Sequence, residues 1–382
     1  YDSPTTTQIS REYAPLLKTA SADQPRFEYA ADGQSVGLKI EAQATNLVTH
    51  SADFDDSSWT KVRSEIDSSA AIAPDGSLTA DYFRATSDSA NGAYATGSAV
   101  STTNNATVNA SVYHKKTGGD NYAAILVYDG SGNGARQWWN LSSNTTASSN
   151  TSGSGFTVVN AGVEEVGNGW VRLNVSVACT GTAVQFTVYP SVATDGGYAN
   201  SVSTTNALIW GAQLTESSAP SSLIQTNGSS VTRAADSCSV DLSQINYSGG
   251  EVSLLGEGTS SDQTDYRGLF SLHLDSSNFI SLYAHSEYNR RVLIKADGVG
   301  SELSGGAGTK AGLSFDTNDV SFCLDGGAVT ADTSQTIPNL TRATAYIGSW
   351  SATSHHLNGH IKRLSLYSVA LSDVELQSLT SS

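Results

Sequence analysis

The spacing Gly33-Gln34-Ser35-Val36-Gly37 matches the G-x-S-x-G elbow, which exposes a nucleophilic serine between a strand and a helix. Here the following residues, Leu38-Lys39-Ile40-Glu41, alternate apolar and polar as a strand does, and Ala31-Asp32-Gly33 before them is turn-like. With no helix behind Ser35, the stretch reads as a hairpin turn. Glu164 and Glu165 could be taken for an acid/base pair, but adjacent strand residues point to opposite faces, so they read as a solvated turn before Trp170. "DGSGNG", residues 129 to 134, mimics half of a calcium loop, yet Asn140 stands where the bidentate Glu is needed. It reads as a Gly-rich hairpin. No cofactor is called for; structural calcium elsewhere is compatible with the sequence, but no acidic cluster demands it. His355, His356 and His360 could hold zinc, but a turn at Leu357-Asn358-Gly359 would point them in different directions. "GGAGTK", Gly305 to Lys310, lacks the Gly-Lys-Ser/Thr order of a phosphate-binding loop.

The tryptophans carry a different chemistry. Trp138 and Trp139 are adjacent on an expected strand, so one must face away from the core unless another layer covers it. A flat ring on a sandwich surface stacks against the C–H face of a sugar, with neighbouring amides and carboxylates for the hydroxyls. One of this pair is therefore a candidate glycan contact, the competing reading being core or interface packing. Trp350, in "YIGSWSATSHH" at a strand-to-loop change, is a second candidate.

The elements that must position these residues are strands. In "WVRLNVSV", Val171, Leu173, Val175 and Val177 share one face and Arg172, Asn174 and Ser176 the other; Val184, Phe186 and Val188 repeat the period. Further on, Phe270, Leu272 and Leu274 share a face, and Asp-Gly turns separate later strands. Only the end is helical: Ser372 can cap with Glu375 three residues on, and Leu371, Val374, Leu376 and Leu379 offer apolar contacts. The fold class is all-β, with two antiparallel sandwich domains of jelly-roll or concanavalin-A-like type, an N-terminal extended segment and a short C-terminal helix.

The 382 residues allow two or three domains, and the formal net charge of −16 repels phosphate backbones and anionic lipid. Nucleic acid and membrane are excluded as expected partners, and the chain is expected to be soluble. Three cysteines, Cys179, Cys238 and Cys323, encode no disulfide framework. With no methionine and Tyr1 at its start, the chain is expected to be part of a longer product or trimmed. The Ser-rich stretch 217–236 reads as a linker, which gives an N-terminal attachment segment 1–45, a jelly roll 46–216 and a second sandwich 237–382.

Taken whole, "PRFEYAADGQSVGLKIEAQATNLVTHSADF" at 25–54, "GNGWVRLNVSV" and "IWGAQLTESSAPSSLIQTNGSSVTRAAD" resemble bacteriophage and prophage fibre or spike proteins that carry a carbohydrate-binding-like jelly roll. The likeness covers residues 16 to 236; one departure is Ala44, where the pattern has Arg before Thr-Asn-Leu. "LNGHIKRLSLYSVALSDVELQSLT" is similar to a laminin-G or concanavalin-A-like domain. The resemblance implies an extracellular protein of the virion surface, on head or tail, which binds host-cell polysaccharide without catalysis. Its implied partners are a host glycan, other virion proteins of capsid or tail, and copies of itself, with a trimer by analogy. A polysaccharide depolymerase, a secreted adhesin and a purely structural decoration protein are the alternatives. It also implies that Arg26, Phe27, Trp170, Trp210 and Arg233 are architectural.

Overall fold

The computed structural model describes residues 16–21, 24–30, 33–242, 247, 250–260, 266–285 and 289–381, with Asn289 described by its backbone only. The described residues are all-β apart from one C-terminal helix, as the period-two pattern requires. Every strand pairing is antiparallel. The described residues form two compact units, one of residues up to 19 with Ala44–Arg233, the other of Ala20–Gln43 with Ala234–Ser382.

Besides a two-stranded sheet, the first unit has two large sheets. One runs in the order Thr145–Ser152, Gly134–Asn140, Tyr122–Tyr128, Ala183–Val192, Tyr94–Gly97, Trp59–Val62; the other in the order Phe156–Gly167, Trp170–Cys179, Thr107–Lys116, Asn206–Thr215, Ala80–Ala85, Ser64–Ala71. Their inner faces close one core, to which Val171, Leu173, Val175, Val177, Val184, Phe186 and Val188 all contribute, as alternation demands. The opposite face of the Trp170 strand is also buried. Arg172 lays its guanidinium over the Tyr113 ring, 5.5 Å from the centroid, and donates to Ser111 Oγ, while Ser176 Oγ donates to the Ser218 carbonyl.

That cover comes from the stretch expected to be a linker. Its backbone is held by two buried amides: Gln213 accepts from the Ile224 N–H (2.7 Å) and donates to Ser221, and Asn46 donates to the Ala212 and Ile224 carbonyls while accepting from the Val48 and Leu214 N–H groups. All four hydrogen-bonding positions of Asn46 are used. Val231–Arg233 then pairs with Ala44–Asn46, setting Arg233 opposite Ala44. Ser-rich composition marks a mobile connection only where the backbone lacks partners, and here side-chain amides supply them. Trp170 and Trp210 are buried with Tyr113, in the architectural role expected of them.

In the second unit one sheet runs Phe27–Tyr29, Ser35–Ile40, Gly359–Tyr367, Val252–Ser260, Lys310–Asp316, Asp319–Leu324, Thr330–Asp332; the other runs Ser239–Asp241, Thr344–Ile347, Arg267–Asp275, Asn278–His285, Asn289–Ala296, Val299–Ala307. Residues of both sheets meet in one core, Ile40 and Ile361 among them. The expected N-terminal segment 1–45 is therefore not one body, because its strands 27–40 form the edge of this sheet. Gly37 makes that pairing close: at φ 130°, a Cβ there would lie 2.5 Å from the Ile361 carbonyl oxygen. Arg26 is architectural through ion pairs to Glu41 (2.7 Å) and Asp236, whereas Phe27 is largely exposed. Phe270 and Leu272 reach the core, but Leu274 falls past it at the hairpin and is exposed. The helix Asp373–Ser381 starts on the expected capping box, with Ser372 N–H and Oγ–H both donating to Glu375; Leu376 is buried, but Val374 points to solvent.

Candidate functional site

The sequence candidates separate sharply. Trp138 and Trp139 do lie on opposite faces of the Gly134–Asn140 strand: Trp139 enters the first core and donates Nε1–H to the Gly162 carbonyl at 2.9 Å, while Trp138 packs with Tyr189 and Tyr198 outside it. Both have 0 % exposed surface. The outward ring is covered because the loop 193–200 returns over it, and the Gly197 carbonyl accepts the Trp138 Nε1–H at 2.9 Å. As the fold stands, neither tryptophan offers a face to a sugar, and the expectation of a glycan contact there is corrected.

Trp350 is different. In the sheet of the second unit, Phe270, Leu272, Ile280, Leu282, Val292, Ile294 and Ala345 point inward, which leaves Ser271, His273, Phe279, Ser281, Tyr283 and Tyr346 on the outer face. Ser271 and Ser281 stand directly opposite each other, so the middle of that face has no bulk. The loop after Thr344–Ile347 turns back there, pinned by Gly348 N–H to the Leu269 carbonyl and Leu357 N–H to the Gly348 carbonyl. It lays Trp350 between Phe279 (5.8 Å between centroids) and Tyr283 (5.3 Å), the two residues flanking Ser281 on that face. Gly268 is required beneath it, since a Cβ there would lie 2.7 Å from Trp350 Cδ1.

Three more rings complete the cluster. His355 stacks on Trp350 at 4.3 Å, Tyr266 contacts Trp350 at 5.5 Å, and His285 lies 4.6 Å from Tyr266. Tyr266 is 36 % exposed, and Trp350, His285 and His355 are half-buried. Farther along the same face His273 stacks on Phe279 at 5.5 Å; burial lowers its pKa against the pull of Asp275, which leaves it neutral at pH 7. The Trp350 Nε1–H is sealed with no acceptor among the described residues. The arrangement is an aromatic platform edged with imidazoles, suited to ring stacking plus hydroxyl recognition. Tyr266 and His285 were missed in the sequence, where no spacing connects them to Trp350.

The catalytic candidates are not brought together. Ser35 opens the second strand of its sheet, between Phe27–Tyr29 and Gly359–Tyr367, and pairs with Tyr29 across a hairpin, while residues 31 and 32 of the expected turn lie outside the described residues. Glu28 accepts from His360 (2.6 Å) and Lys39 (2.8 Å); burial works against its charged form, but these two partners bring its pKa down to about 2. The carboxylate is thus a fixed ion-pair partner. Glu165 accepts from Asn144, and Asp129 folds its own hairpin by accepting from the Ser131 and Asn133 N–H groups. Of the three histidines, His355 stacks on Trp350, His356 is buried and His360 serves Glu28. No group of three or more His, Cys, Asp or Glu fit to hold a metal ion occurs among the described residues.

No family model matches this chain, and no curated protein matches it. Among solved structures, similar ones include the Ruminococcus gnavus IT-sialidase CBM40 bound to α2,3-sialyllactose, at 15 % identity and TM-score 0.33 over 38 % of this chain and 92 % of that one. The SAP-like pentraxin of Limulus polyphemus is similar at 11 % identity and TM-score 0.27 over 36 % and 73 % of the two chains. Domains LG4-5 of the mouse laminin α1 chain are similar at 10 % identity and TM-score 0.27 over 71 % and 86 %. Likenesses this slight assign no function.

Proposed function

We propose that this chain is a non-catalytic glycan-binding protein of a virion fibre or spike, exposed on the particle surface, which engages host-cell polysaccharide. The observation that carries the reading is the half-open ring cluster of Trp350, Tyr266, His285 and His355 on the outer face of a β-sheet. Aromatic rings without a convergent nucleophile or carboxylate pair recognise a sugar and leave its bonds intact. The virion assignment is supported by the strand and hairpin motifs that resemble phage fibre proteins. Each contact is weak, and copies of the chain on a particle, as a homo-oligomer such as a trimer, multiply it through effective concentration.

A glycan array on the purified protein, followed by titration of any neutral-glycan hit against Trp350→Ala, tests the binding. The variant should lose about tenfold or more in affinity, which is about 1.4 kcal/mol. Turnover of the bound polysaccharide by the chain would overturn the non-catalytic reading. Light scattering in solution tests self-association, and labelled antibody on intact particles tests the surface location.

A further inference from the structure

In the first unit, the face of the Trp138 sheet turned away from the core carries a continuous row of rings ended by two cations. Tyr94 and Tyr189 are 4.9 Å apart, Tyr189 and Tyr198 are 4.8 Å apart, and Trp138 lies 5.4 Å from Tyr198. Arg63 sits over the Tyr94 ring at 5.7 Å and Arg136 over the Tyr198 ring at 5.7 Å. Tyr198 arrives on the loop 193–200, whose base is fixed by reciprocal N–H···O bonds between Ser89 and Asn200. Tyr94, Tyr198, Arg63 and Arg136 are all half-buried, which leaves part of each side chain open to solvent.

The charges are what distinguish this row. The chain has 36 acidic residues against 20 Lys and Arg, and Arg26, Arg84 and Arg291 each hold a carboxylate. Arg63 and Arg136 hold none among the described residues. Arg63 donates only to the Gly92 and Asn91 carbonyls. Arg136 has Nε sealed without an acceptor among the described residues, and the Tyr198 hydroxyl is likewise sealed without a partner among them. The acid of the covering loop, Asp195, is taken up by Ser148 N–H and Oγ–H. Burial, against the pull of Arg136, raises the Tyr198 phenol to about 12, so it stays neutral and adds no negative charge beside Arg136. Arg172 and Arg290 also hold no carboxylate among the described residues, but both are buried, against the Tyr113 ring and against backbone carbonyls; Arg63 and Arg136 are half-open and can take an anionic occupant.

We propose that this row binds an acidic, uronate-bearing glycan strand, with sugar rings against the half-open Tyr94 and Tyr198 over the buried Tyr189, and carboxylates at Arg136 and Arg63. In the sheet order Arg136 lies three strands from Tyr94, which is roughly 14 Å at the usual strand spacing. That is the reach of a short oligosaccharide, so one strand spans both cations. The planar guanidinium fork fits a carboxylate through two parallel hydrogen bonds, which an uncharged hydroxyl pair does not reproduce. This site is built from residues of the first unit alone, none of them in the Trp350 cluster.

The test uses the full chain and short oligogalacturonate, alginate and hyaluronan fragments, each against its own methyl ester. At least one acid form should bind, its methyl ester about tenfold or more weaker, and the binding should weaken with salt. Arg136→Gln should cost about tenfold or more in affinity for the acid form, and Arg63→Gln a loss in the same direction. Tyr198→Phe keeps the ring and removes only the sealed hydroxyl, so it should bind the acid form as the parent does, whereas Tyr198→Ala, which removes the ring, should weaken it. Trp350→Ala should leave uronate binding unchanged. Equal binding of acid and ester, full binding by a folded Arg136→Gln protein, or no binding of any uronate overturns the proposal. If Trp350→Ala alone abolishes uronate binding, the charge is read at the other surface, and the glycan reading survives while this one falls. If no glycan, acidic or neutral, binds the chain at all, both fall together.

Discussion

Trp138 in the first unit and Trp350 in the second both sit on the outer face of an antiparallel sheet, yet one is sealed and the other half-open. Trp138 belongs to a strand, and a separate loop closes over it through Gly197 and Tyr198. Trp350 belongs to a loop and is itself what closes over the sheet, lying above two serines too small to exclude it. Strand alternation decides which face a ring takes. Whether that face stays open depends on where the connecting loops return, and the period of the sequence carries no information about it.

The largest expected effect tests this closure. Trp139→Ala should cost the first unit about 3–5 kcal/mol as a core truncation, and Trp138→Ala should cost about 3 kcal/mol or more, because it is equally buried and also holds the loop. Chemical denaturation measures both. A Trp138 variant as stable as the parent would mean that the loop lifts away in solution and that Trp138 faces water after all.

The two units should also answer acid in opposite directions. Burial pushes Asp81 up from 3.8 to about 6, although the Ser69 and Phe54 N–H groups bond its carboxylate and Asp53 and Asp55 add to the push. A raised acid is most stabilising when protonated, so its contribution is full below pH 3.8 and is lost as pH rises through 6, on the order of 3 kcal/mol. Glu28 is depressed from 4.5 to about 2, so its contribution is full above pH 4.5 and is lost as pH falls towards 2. Calorimetry of Asp81→Asn and Glu28→Gln against the parent should show the first difference opening between pH 4 and 6 and the second closing below 4.5. Parallel curves for the two variants would contradict both assignments.

A smaller effect concerns the edge hairpin. A fragment beginning at residue 237 lacks Phe27–Tyr29 and Ser35–Ile40, so the Gly359–Tyr367 strand keeps Val252–Ser260 on one side and loses its neighbour on the other. Adding a peptide of residues 24–43 should raise the melting temperature of that fragment by several degrees, and no rise would show the hairpin to be dispensable. At the bottom of the scale, Ser35→Ala should change neither stability nor any activity, since the residue is exposed at the first position of its strand; a lost turnover would restore the nucleophile elbow.

Much of the fold was legible because local pattern fixes it. Val171 to Val177, the hairpin at Asp129, the Leu38–Ile40 strand and the Ser372 capping box follow from period and turn chemistry alone. What was not legible depends on partners far away in sequence. The Leu38 strand pairs with Ile361, and Asn46 with Ala212 and Ile224, and neither pairing leaves a periodic trace. For that reason the expected linker falls inside the first unit as far as Arg233 and residues 20–43 fall in the second, while the boundaries expected at 45 and 236 lie within three residues of those of the compact units. Trp350 was legible as a ring at a strand end, but Tyr266, His285 and the bare serines beneath it become a site only when the sheet register is known.

The central claim is that the open ring, and not the sealed pair, meets the sugar. It is tested most directly by titrating the strongest glycan-array hit against the folded parent and Trp350→Ala proteins by calorimetry at a single ionic strength. If that hit is a neutral glycan, the account predicts a loss of about tenfold or more in Trp350→Ala, with the melting temperature of the first unit unchanged. Unaltered affinity for that glycan in a folded Trp350→Ala protein would contradict it.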